Sequence, residues 1–115
     1  IILKKCIMKF DIDEVLTNML GAVKKSLDTD WPFAKETTND FFQSRKERLD
    51  LLTSLFLTKE LSKEFYEARI LDEKKILVSE LHAIAIISKV MAQNAANAAF
   101  DVLEKTIDIA LGIVL

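Results

Sequence analysis

Glycine occurs twice and proline once in this chain, at Gly21, Gly112 and Pro32, too few turn residues for a sheet protein of 115 residues. Their scarcity excludes a hairpin-rich β architecture and leaves an all-α chain. Cysteine is almost missing as well. Cys6 stands alone, so no internal disulfide and no thiolate metal cluster can form, and a disulfide-built secreted scaffold is excluded. A lone thiol fits a reducing compartment, and the expected location is cytoplasmic. An excess of one charge is missing too: 16 Lys and Arg face 18 Asp and Glu, a net charge of -2 that slightly repels phosphate. No nucleic acid is expected as a partner. No Ser-, Gly- or Pro-rich linker and no internal repeat divides the sequence, so residues 1–115 form a single helical domain. The start, IILKKCIMKF, is a poorly defined leader. It lacks the long apolar core and small-residue cleavage site of a signal peptide, and MKFDIDEVL makes Met8 a candidate internal start.

What the chain does have is apolar periodicity, with 50% hydrophobic residues. Asp11 is a good N-cap, Glu14 sits at the acid position of a capping box, and Phe10 can staple onto Val15. Behind that cap Ile12, Val15, Leu16, Met19, Leu20, Val23 and Leu27 recur at three- and four-residue steps, which predicts a helix over about 12–28. Gly21 within it either marks a close helix contact or costs about 1 kcal/mol. Caps at Asp28, Thr29 and Asp30, with Pro32 in a first turn, start a second helix. Its apolar face is Phe42, Leu49, Leu52 and Phe56, and Arg45 falls on the same face. A guanidinium there must either reach out to water or pair with a carboxylate across an interface.

LFLTKELSKEF is the only expected turn between about 50 and 115, with Thr58 as the cap of the next helix. From there the stripe Tyr66, Ile70, Leu77, Leu81, Ile84, Ser88, Ala92, Ala95, Ala99, Val102, Thr106, Ile109 and Ile113 keeps steps of three, four or seven. A single helix over 59–110 would be roughly 75–80 Å long, whereas a compact chain of this length has a radius of gyration of about 13 Å. The long C-terminal helix therefore either breaks near residues 93–97, where asparagines can take a left-handed cap, or forms a rod shared between chains. The expected fold is a three- or four-helix antiparallel bundle.

The run ILVSELHAIAIISKVMAQNAANAAF is long enough for a bilayer, but Glu80, His82, Lys89, Gln93, Asn94 and Asn97 interrupt it, and charges at a bilayer centre cost about 2.5–3.5 kcal/mol each. Small residues at Ser88, Ala92, Ala95 and Ala99 narrow the stripe and admit a partner backbone. Ile76, Ile86, Ile87, Val90 and Phe100 lie off it, so a straight helix here is apolar nearly all round and fits burial between protomers. The expected interface is Leu77, Leu81, Ile84, Ser88, Ala92, Ala95, Ala99 and Val102, with Arg45 as a polar contact.

Chemistry finds little footing. His82 is the only histidine and Glu80 two residues before it points to another side, so the paired acid and histidine of a di-metal bundle are missing. A haem or metal ligand set is not expected, and no cofactor is. Cys6 and His82 have no third group to orient them as nucleophile and base. Neither a Gly-rich phosphate loop nor a Ser-containing elbow occurs. The acid pairs Asp11/Asp13, Glu64/Glu67 and Asp72/Glu73 suit caps and solvated faces. The expectation is a non-enzymatic assembly or adaptor protein acting through homo-oligomerisation or a helical protein partner. The alternatives are a membrane-active protein inserting residues 76–115 as a hairpin with its tip at Asn94–Asn97, and a nucleic-acid regulator using Arg45, Lys46 and Arg48.

Overall fold

A computed structural model describes residues 10–112, which form four helices and no strand. The expectations for Cys6, Met8 and Ile113 lie outside these residues. Helix α1 spans Ile12–Leu27, a 3-10 turn spans Asp28–Asp30, and α2 spans Trp31–Leu57; α3 covers Lys63–His82 and α4 covers Lys89–Ala110. Asp11 caps α1 as the sequence predicts, its carboxylate accepting from the Asp13 and Glu14 N–H groups. Pro32 sits in the first turn of α2, where a missing N–H costs nothing. Gly21 has nothing within 4 Å of where a Cβ would stand, so it marks no close contact and only weakens the helix.

The link between α2 and α3 falls within the predicted turn, but its caps differ from expectation. Thr58 ends α2 instead of starting α3. The Glu60 N–H reaches the Leu55 carbonyl at 2.8 Å and the Lys59 N–H reaches Phe56 at 3.0 Å, a Schellman closure with Lys59 at φ 66°. Ser62 is the true cap, accepting from the Phe65 N–H at 3.1 Å.

The long C-terminal helix does break, at Ala83–Ser88 and not at residues 93–97, which are continuous helix within α4. Ser88 is an N-cap in extended conformation, accepting from the Met91 N–H at 3.2 Å. The preceding isoleucines disfavour helix through their branched Cβ, and Ile87 turns inward to 2% exposure as the anchor of the bend. The bend also explains why a straight projection looks apolar on every side: Ile87 is buried while Ile86 and Val90 are 49% and 63% exposed. The hairpin tip expected at Asn94–Asn97 is likewise displaced to this bend. Among the described residues no helix is long and apolar enough to cross a membrane.

Successive helices run antiparallel, and α1 packs most closely against α4. The fully buried Ala92, Ala95, Ala96 and Ala99 let the two backbones approach, opposite a stripe that includes the equally buried Met19 and Val23. The described residues extend 46 × 28 × 23 Å with a radius of gyration of 14.5 Å, far from a rod.

Candidate functional site

The expected interface lies mostly inside one chain. Leu77, Leu81, Ala92, Ala95 and Ala99 are fully buried, Ile84 and Val102 are half-buried against the core, and Ser88 is an exposed cap. The narrow stripe meets α1 of the same molecule, so a surface for a partner must be built from other residues. Arg45 does pair with a carboxylate, but within the chain: its Nη1 lies 3.3 Å from Oε1 of the buried Glu73 on α3, and Arg48 reaches the other oxygen at 3.5 Å. The Arg45 guanidinium also covers the Phe41 ring at 5.4 Å. Lys46 binds Asp13 at 2.6 Å, and this hydrogen bond raises the lysine pKa. The local cluster of Arg45, Lys46 and Arg48 is thus already paired with two carboxylates, Asp13 of α1 and Glu73 of α3.

These ion pairs set the axial register of the helices. Asp13 in the first turn of α1 is level with Lys46, and Arg45 is level with Glu73 in the middle of α3. Beyond that level α2, α3 and α4 continue without α1 beside them. At this end, among the described residues, α3 and α4 line a groove of about 470 Å³. It runs from Lys74 and Phe100 at the level where α1 begins to Lys63 and Leu111 at the outer end.

The floor is apolar: Phe56 of α2, Tyr66 and Ile70 of α3, and Phe100, Leu103 and Ile107 of α4. Phe56 and Tyr66 stack in parallel with ring centroids 4.6 Å apart. The Tyr66 hydroxyl shares a 2.8 Å hydrogen bond with Thr53, and burial pushes its pKa up to about 12. The phenol is neutral at physiological pH, as an exposed tyrosine is, and burial carries that neutral form well into the alkaline range. Glu67, Asp101, Glu104 and Asp108 stand on the rim with Lys63 and Lys74, and Leu71 adds a 45% exposed apolar wall.

Among the described residues no group of three or more His, Cys, Asp or Glu side chains could hold a metal ion. His82, the last residue of α3, is exposed. The groove can therefore bind by apolar burial and rim charge. Sequence reasoning missed it because Phe56, Tyr66 and Ile70 read as ordinary core positions. The signal that could have revealed it is the helix-length mismatch: α1 has 16 residues and α2 has 27, so among the described residues one end of the bundle is made by three helices. No family model, curated protein or solved structure matches this chain.

Proposed function

We propose that the protein is a non-enzymatic docking or assembly module whose working surface is the α3–α4 groove, where it takes an apolar segment of a protein partner, a second copy included. The observation that carries this reading is the groove itself. At about 470 Å³ it falls within the range of pre-formed binding clefts, about 300–1,000 Å³. Its floor combines stacked aromatics with Leu103 and Ile107, the kind of rigid apolar surface that receives a helix face or an extended segment. The charged rim supplies orientation without reaction chemistry.

Leu71 gives the test, because it lines the groove and is exposed enough for Leu71→Glu to leave the core intact. Light scattering over a concentration series, together with titration of amphipathic peptides, should show either mass above 13.1 kDa or peptide binding. Leu71→Glu should reduce whichever is seen by at least about tenfold, since a charge replaces a buried apolar contact. A chain that stays at monomer mass and binds no peptide in a Leu71-dependent way would sink the proposal.

A further inference from the structure

We infer that the groove takes a cationic amphipathic helix supplied by a different protein. This rests on the docking role of the groove and adds the chemistry of its partner.

Backbone chemistry decides the form of the occupant. Both walls are helical, α3 from Lys63 to Lys74 and α4 from Phe100 to Leu111, and helices spend their backbone groups internally. No strand edge stands beside them among the described residues. An extended segment laid on this floor would leave its N–H and C=O groups facing apolar side chains, whereas a helix arrives with its backbone already satisfied. Each wall runs about 16 Å, the length of three helical turns.

Charge decides the flanks. The α4 rim is wholly acidic, with Asp101, Glu104 and Asp108 at steps of three and four along one side of the helix. The α3 rim carries Lys63, Glu67 and Lys74. Among the described residues no ion pair crosses the groove, and none of the three α4 acids is in a salt bridge. The complementary helix therefore carries Lys or Arg at three- and four-residue steps on the flank beside α4, next to an apolar stripe that meets the floor. A row of carboxylates repels anionic lipid headgroups and nucleic-acid phosphates alike, which leaves a protein as the donor.

Burial decides that the donor is not a second copy. A helix that inserts must show large apolar residues three or four positions apart on its exposed side. The large exposed apolar residues within the described helices are too far apart for that: Phe33 and Leu51 on α2, Phe65 and Leu71 on α3, Val90 and Ile109 on α4. Their other stripes are already spent on the core.

The test is fluorescence anisotropy of three synthetic helical peptides with the full chain. All three share one leucine stripe, and their flanks carry Lys, Gln or Glu. The lysine peptide should bind at least about tenfold more tightly than the glutamate peptide, with the glutamine peptide between them, and added salt should narrow the gap. Leu71→Glu should weaken all three. The triple substitution Asp101→Lys, Glu104→Lys, Asp108→Lys should reverse the order, with a thermal melt to check folding. Should that variant not fold, Glu104→Lys alone, at an exposed position, should cut the advantage of the lysine peptide by about threefold or more. Equal binding of the three peptides, or a preference for the glutamate peptide, that Leu71→Glu abolishes means that the partner chemistry is wrong and the docking groove stands. Self-association that Leu71→Glu abolishes, without peptide binding, makes a second copy the occupant and again overturns this inference alone. With neither peptide binding nor self-association, both fall.

Discussion

Lys59 holds a φ of 66° at the end of α2, in the left-handed region where a Cβ crowds the following carbonyl. Glycine is the usual residue at that position of a Schellman closure, so Lys59→Gly should stabilise the fold by about 1 kcal/mol, read as a higher melting temperature. Tyr66 makes a second prediction at this scale. Its folded-state pKa of about 12 lies above the ordinary 10 because burial disfavours the phenolate. Its stabilising contribution is therefore complete below pH 10 and is lost as pH rises through 12. The loss amounts to about 2–3 kcal/mol. Denaturant melts between pH 9 and 12 should show this fall, and Tyr66→Phe should remove that part of it. An identical alkaline profile in Tyr66→Phe would mean that the phenol does not titrate against burial.

At the scale of elements, the bend at Ala83–Ser88 decides the architecture. A helix hairpin made without glycine or proline depends on a serine cap, a row of branched isoleucines, and the burial of Ile87. The two helices it joins are then free to pack antiparallel, and α4 presents its alanines to α1. Ala95→Leu should overpack this contact and cost about 1–3 kcal/mol. Because Ala95 is fully buried within one chain, the loss should appear as lower melting stability at every protein concentration. A change in oligomer mass with unchanged melting would contradict that placement.

At the scale of the molecule, the mismatch between a 16-residue α1 and a 27-residue α2 gives the described residues a four-helix body with a three-helix end. The groove belongs to that end and to no single helix. Small-angle scattering of the monomer should give a radius of gyration near the 14.5 Å of the described residues. A continuous helix over 59–110 would instead give a rod of roughly 75–80 Å, which the pair-distance distribution would reveal.

Much of the fold is legible in the residues. The cap at Asp11, the first apolar stripe and Pro32 in a first turn are local features, governed by backbone hydrogen bonds and side chains a few positions apart, and each is where periodicity and capping chemistry place it; the turn near residues 58–62 is also where expected, though its cap is Ser62 and not Thr58. The bend was hidden because Ser88 also fits the three-and-four spacing of the stripe, so one residue satisfied two competing patterns. A charge on an apolar face left Arg45 two outcomes, reaching out to water or pairing with a carboxylate across an interface, and the structure pairs it. That its partner is Glu73 of the same chain did not follow, since a carboxylate 28 positions away is brought near only by the α2–α3 hairpin.

Composition and periodicity suffice to make the chain all-α, because scarce turn residues and three-and-four periodicity admit no other regular structure. Tertiary packing alone decided which apolar residues are spent on the core and which remain at the surface. Burial depends on what lies opposite: Tyr66, Phe100 and Ile107 are buried while Phe56 and Ile70 beside them are only partly so, a difference that their spacing along the chain does not show.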